Sequence, residues 1–416
     1  MTKEKKTKET KALWEFPWKY KESFLIATGL LLVGFLIEYA TGGKGIRTVS
    51  WPINIFILLV FINIIVVTHL TFKDKPFIKW IRSVPTAVSA ITMFTVLILL
   101  MGFTTQEDQT ASEFIRKLGL SHVTSSWPYL MIQLYFLTTL GFVVMKRIWP
   151  LNRKNFGFLL NHFGLWIMIV AASLGAGDLI KLNMQLEEGK TVMVARDYEG
   201  NYYEMPLAIK LDNFNIEEYN PKVGIVDNKV GGLAGEEGEN IFEVEDGYVG
   251  TIDQYTFKVL SYMPKAARTD SGYIEFLSVG AVHAAFIEVK NNATDDIRSG
   301  WITCGNSFTQ YESLKIDEAY SLVMLNPEPK EFSSDVVVYT ESIGEESLTI
   351  EVNEPYSVDG WKIYQTGYDE KMGRDSNISI VEVVKDPWIL YVYIGIFMVI
   401  AGAGFIFWEG RKVKKD

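Results

Sequence analysis

The sequence predicts a membrane protein: a six-span α-helical bundle with a β-rich extracytoplasmic domain inserted between spans five and six. Three observations carry this. Six apolar stretches, at about 23–40, 51–70, 85–103, 128–146, 156–176 and 387–408, are each long enough to cross a hydrocarbon layer of roughly 30 Å. Residues 177–386 change instead to two-residue alternation punctuated by Gly, Asn, Asp and Pro. Charge divides along the same line, with 39 acidic and 17 basic residues from Asp178 to Asp386, against 11 acidic and 23 basic elsewhere. Basic loops beside an acidic domain are the pattern of a domain on the non-cytoplasmic side.

Basic residues orient the spans. Lys3, Lys5, Lys6, Lys8, Lys11, Lys19 and Lys21 precede the first. Lys73, Lys75, Lys79 and Arg82 separate the second and third, Lys146, Arg147, Arg153 and Lys154 the fourth and fifth, and Arg411, Lys412, Lys414 and Lys415 end the chain. With six crossings these groups share one side, and the opposite short loops hold only Lys44, Arg47, Arg116 and Lys117. Both termini are therefore expected in the cytoplasm. The expected domains are a basic tail 1–22, five spans within 23–176, the β-rich domain 177–386, a last span 387–408 and a basic tail 409–416. The lysine-rich start lacks a small-residue cleavage site after a short apolar core, so the first span is read as retained.

Within the domain, Ala208–Leu211, Thr256–Leu260, Phe286–Val289 and Leu348–Val352 alternate as strands do. Gly231–Gly238 reads as a flexible loop with no phosphate-cradle context. In the loop 104–127, Ala111–Leu120 suits a short interfacial helix with Phe114, Ile115 and Leu118 on one face, and His122 reads as a solvated loop residue. Trp14, Trp18, Trp51, Trp127 and Trp149 lie near span ends, as an aromatic belt requires.

Several chemistries are excluded by absent motifs. Cys304 is the single cysteine, so there is no intrachain disulfide, no CxxC dithiol and no CxxCH for attached c-type haem. There is no HExxH, GxSxG or Walker loop, and the acidic residues show no metal-ligand spacing. His283 lies on an alternating run and reads as structural. The candidate site is His162, about two turns inside the cytoplasmic end of the fifth span, because an ionisable residue within hydrocarbon needs a partner. Two readings stand open for it: axial ligation of haem iron, or a hydrogen bond between helices. His69 ends the second span on the same membrane side, somewhat shallower, as an interfacial residue or a second ligand.

Three groups of residues resemble the ResB (CcsB-type) subunit of system II cytochrome c biogenesis. The first is Asn161-His162-Phe163-Gly164 with Ala171–Gly175 and Leu186–Gly189. The second is Met205–Tyr219. The third runs Pro329–Val336, Val352–Pro355, Gly360–Gln365 and Val383–Trp388. Together they cover roughly 155–408. The resemblance implies a subunit in the bacterial cytoplasmic membrane that moves haem b outward and presents it to apocytochrome c, with a CcsA-type partner bearing the tryptophan-rich WWD motif. It implies that His162 is an axial ligand of the haem iron, shared with a partner histidine, and that the chain is at most a co-catalytic part of a haem lyase. Nucleic acid is not an expected partner. The WWD motif is absent from this chain, and five spans precede the domain where the family usually has fewer. Two other classes stay in view: a self-contained b-type electron carrier using His69 and His162, and a membrane scaffold or sensor with a β-domain binding module.

Overall fold

The computed structural model describes residues 14–148, 151–235 and 240–410, apart from the side chains of residues 154, 409 and 410. Lys3, Lys5, Lys6, Lys8, Lys11, Trp149, Glu236, Glu237, Gly238, Arg411, Lys412, Lys414 and Lys415 lie outside the described residues. The chain forms two compact units, one of Met1–Leu179 with Asp386–Asp416 and one of Ile180–Lys385.

The first unit is helical. Its helices are α1 (Tyr20–Ala40), α2 (Ile53–Phe72), α3 (Pro76–Ile81), α4 (Val84–Phe103), α5 (Glu113–Lys117), α6 (Trp127–Ile148), α7 (Arg153–Gly175) and α8 (Ile389–Gly410). Six of them, α1, α2, α4, α6, α7 and α8, are long and apolar enough to cross a membrane. The basic stretch after α2 is not a plain loop, because Pro76 opens the short α3, where its missing N–H and fixed φ suit the first helical turn. Trp80 of α3 is buried, and its indole N–H donates to the Ser23 hydroxyl of α1 at 2.9 Å. The interfacial helix expected over Ala111–Leu120 is the shorter α5, capped by the Ser112 hydroxyl, which accepts the Ile115 N–H.

The helix α6 is the most enclosed of the six, with Ile132, Phe136, Leu140 and Phe142 buried. The tightest pair is α7 with α8, where glycines seven residues apart on each helix meet. A Cβ on Gly164 would stand 2.8 Å from the Gly395 carbonyl, and one on Gly395 would stand 2.7 Å from the Gly164 carbonyl. Gly157 and Gly402 repeat the arrangement two turns away, each facing the other's carbonyl. Small residues let helix backbones touch where lipid supplies no hydrophobic drive.

The second unit is built of antiparallel sheets. The largest has eight strands in the order Gly344–Glu351, Pro329–Thr340, Tyr202–Glu218, Thr191–Arg196, Ile180–Glu187, Ile378–Lys385, Trp361–Tyr368 and Tyr356–Val358. Its first and last strands by sequence are neighbours, with Ile180 opposite Lys385. Met205, Leu207, Ile209 and Leu211 alternate into its core. An extra residue at Asp212 then shifts the register, so that Phe214 faces the core in place of Asn213. Sheets of five and four strands enclose a second core around Phe257, Val259, Ile287, Ile302 and Leu322. The alternating runs read from the sequence fall in Tyr202–Glu218, Tyr255–Thr269, Val282–Asn291 and Gly344–Glu351, except that Val352 lies just past the end of the last.

Candidate functional site

His162 lies in the N-terminal half of α7 and is half-buried. Its neighbours Asn161 and Gly164 belong to the α8 seam, where the Asn161 amide donates to the Val399 carbonyl at 3.2 Å. The His162 ring stacks on Phe158 at a centroid distance of 3.7 Å, and the Arg147 guanidinium lies 5.2 Å from the same Phe158 ring. The His162 Nδ1 is 3.0 Å from the Phe158 carbonyl. A carbonyl only accepts, so Nδ1 carries the proton and the neutral ring keeps its lone pair on Nε2. Holding one ring nitrogen by a carbonyl fixes both tautomer and orientation, as is usual for imidazoles that bind metals. Nε2 has no hydrogen-bond partner among the described residues.

One turn along, the Trp166 indole donates to the Leu137 carbonyl of α6 at 3.2 Å and stacks on Phe61 of α2 at 6.3 Å. Near the other end of α2, the Asn54 amide donates to the Leu174 carbonyl at 3.2 Å. These two contacts make α2 and α7 antiparallel. Eight residues beyond Phe61, about 12 Å along the axis, comes His69, level with Phe158 and about one turn from His162. His69 is buried, at 9% exposure, and its Nδ1 is enclosed with no hydrogen-bond partner among the described residues. No hydrogen bond or ring contact joins the two histidines among the described residues. A groove of about 550 Å³ runs along α2 past Phe56, Val60, Asn63 and Val67, and neither histidine lines it.

His122 differs from its sequence expectation. Its Nδ1 lies 2.9 Å from Asp108 and its Nε2 3.3 Å from Glu38, and its side chain is only 15% exposed. Glu38 is fully buried and also accepts the backbone N–H groups of Gly45 at 2.9 Å and Trp127 at 2.8 Å. The histidine is thus a strut between α1 and two loops. A carboxylate inside an apolar run was the available signal for Glu38. A second node missed as such is Asp178, which gathers the N-terminal ends of α2 and α8.

In the β-rich unit, His283 accepts from the Tyr262 hydroxyl at 2.8 Å and donates to Glu218 at 3.1 Å. The Arg374 guanidinium lies 3.5 Å from the same carboxylate. Burial pushes the Tyr262 phenol well up and the neighbouring Cys304 thiol up to about 11. That thiol is inert at neutral pH. No buried side-chain nitrogen or oxygen of this group lacks a partner among the described residues, as a structural network requires. No cluster of His, Cys, Asp and Glu suited to a metal ion occurs among the described residues.

No curated protein matches the chain. The model of the ResB-like family matches residues 292–381, a segment wholly within the β-rich unit. It takes in Pro329–Val336, Val352–Pro355 and Gly360–Gln365, the most specific pieces of the resemblance. The structure accounts for one of them. Asp359 and Gly360 both have positive φ and join Val358 to its partner Trp361, the two-residue turn that favours Asp-Gly. Residues 292–381 are therefore ResB-like, as the ResB (CcsB-type) resemblance of the sequence implied.

Proposed function

We propose that this chain is the ResB (CcsB-type) subunit of a cytochrome c biogenesis complex, handing haem b outward through the membrane to apocytochrome c with a CcsA-type WWD partner. In this reading all six long helices cross the membrane, both termini are cytoplasmic, and the β-rich unit stands outside. The reading is supported by the ResB-like match and by the apolar helices. The observation that carries the haem role is the state of His162: one nitrogen tied to the Phe158 carbonyl, the other left with an unshared pair.

Haem is cargo here, and the donors suit it. A neutral imidazole nitrogen is an ordinary axial donor to haem iron. Phe158, Phe163 and Trp166 line the same stretch of α7 with aromatic faces. Bound haem supplies the iron and vinyl chemistry of thioether formation. The chain orients the ring through His162, and the partner contributes the second histidine. His69 is the second candidate donor within the chain, since a buried nitrogen without a partner is costly unless something completes it. That observation also favours a second reading, a self-contained b-type carrier with both histidines as ligands.

The test is haem attachment to a reporter apocytochrome in cells that express the chain with its partner. His162→Gly is expected to abolish attachment, and added imidazole to restore it. Attachment unchanged in His162→Gly would sink the assignment of His162.

A further inference from the structure

The last turn of α2 and the corner that follows it hold a group of residues that a topological role alone does not explain. His69 and Lys73 are four residues apart, on one face of α2 and about 6 Å apart along its axis. Arg82, which ends α3, folds back so that its guanidinium donates to the Lys73 carbonyl at 2.9 Å. The imidazole is buried and its Nδ1 has no hydrogen-bond partner among the described residues. Lys75 and Lys79 add positive charge to the same corner, against the single acid Asp74.

Basic residues at a cytoplasmic margin serve orientation, and the contact of Arg82 with Lys73 caps the end of α2. Neither role uses the enclosed nitrogen of His69. Arg82 makes one hydrogen bond, to the Lys73 carbonyl, among the described residues, and a guanidinium has further N–H groups to offer. A nitrogen donor buried among apolar helices, with two cations one turn nearer the margin, matches a ligand that is apolar and metal-bearing at one end and anionic at the other.

We propose that Lys73 and Arg82 bind the propionate carboxylates of haem whose ring lies against His69, making this corner the cytoplasmic uptake site of the chain. The assignment rests on the haem-handling reading above. Carboxylate oxygens match a guanidinium fork and an ammonium, and such charge-assisted bonds are strong when partly shielded. The apolar ring then lies among the helices, and the carboxylates stay at the basic margin. Haem reaches His69 before His162, which lies about one turn deeper.

The experiment titrates the purified full chain together with its WWD-type partner, in nanodiscs of neutral lipid, with haem and with haem dimethyl ester, followed by the Soret band. The ester keeps the iron and ring but lacks the carboxylates. The wild type is expected to bind haem about tenfold or more tighter than the ester. Lys73→Gln with Arg82→Gln should remove that preference and leave ester binding unchanged. Lys73→Gln alone, which spares the Arg82 contact, should lower it in part. Equal binding of haem and ester by the wild type overturns the proposal and leaves haem handling standing. A preference that survives in the double variant overturns it too. Capture of anionic lipid by Lys73 and Arg82, with no preference for haem over its ester, assigns the corner to lipid headgroups. No haem uptake by the wild type overturns this proposal and the haem-handling reading together.

Discussion

The indole N–H of Trp388 donates to the Asp178 carboxylate at 2.7 Å, joining the start of α8 to the end of α7. The same carboxylate accepts the Asn54 amide and the Trp51 backbone N–H, each at 2.6 Å. Burial works against the charge on Asp178, but the bonds from Trp51, Trp388 and Asn54 outweigh it and hold the carboxyl below its ordinary range. Asp178→Ala is expected to lower stability by about 2–3 kcal/mol, as the loss of charge-assisted bonds does. A carboxylate with a depressed pKa stabilises above its unfolded value and loses that contribution as pH falls. The wild type should therefore lose stability below about pH 4, with a weaker loss in Asp178→Ala. Thermal unfolding of both across that range checks the sign.

The glycine seam makes a sharper demand. A side chain on Gly164 meets the Gly395 carbonyl and Met398, so even one methyl forces α7 and α8 apart. Gly164→Leu should cost about 1–3 kcal/mol or more through overpacking. Gly29 has open space around its Cβ position, so Gly29→Leu should cost little. Equal melting temperatures for the two variants would show that the seam is not close-packed.

Glu38 is buried with three donors on it, and removing it leaves those donors unpaired. Glu38→Ala should destabilise the helical unit by about 3 kcal/mol or more. His122→Ala should cost less, since Gly45 and Trp127 still satisfy the carboxylate. Limited proteolysis of the loop 104–127 reads the difference, with faster cleavage expected in Glu38→Ala than in His122→Ala.

Burial lowers the His283 pKa despite the pull of Glu218 in the other direction. The folded state thus binds the proton less readily than the unfolded state. Its stability contribution is complete above about pH 6.5 and declines as pH falls below that value. His283→Ala should cost about 1–3 kcal/mol at pH 8, because Tyr262 and Glu218 lose their partner. It should also flatten the loss between pH 7 and 5. A variant whose melting temperature falls with acid as steeply as the wild type's would contradict the assignment.

The long helices and main strands were legible because their signals are local. Runs of apolar residues announce α1, α2, α4, α6, α7 and α8, and alternation announces strands such as Tyr202–Glu218. What was not legible depends on pairs distant in the chain. Gly164 and Gly395 look ordinary until the helices are laid side by side. Glu218 gains its meaning from His283 and Arg374, and His122 from Glu38 and Asp108. The short α3 was hidden because Lys73, Lys75, Lys79 and Arg82 in and around it dominate the stretch, while Trp80 supplies the burial. At the candidate site, the place of His162 within a long apolar helix was readable, but its tautomer was not, since that follows from the Phe158 carbonyl one turn away.

The most direct measurement is a reduced-minus-oxidised haem spectrum of the purified chain, alone and with a WWD-type partner, for the wild type, His162→Ala and His69→Ala. Haem that appears with the partner and is lost in His162→Ala is the predicted result. Haem held by the chain alone, and lost with either histidine, would identify a self-contained b-type carrier instead. No haem in any preparation would contradict the account at its centre.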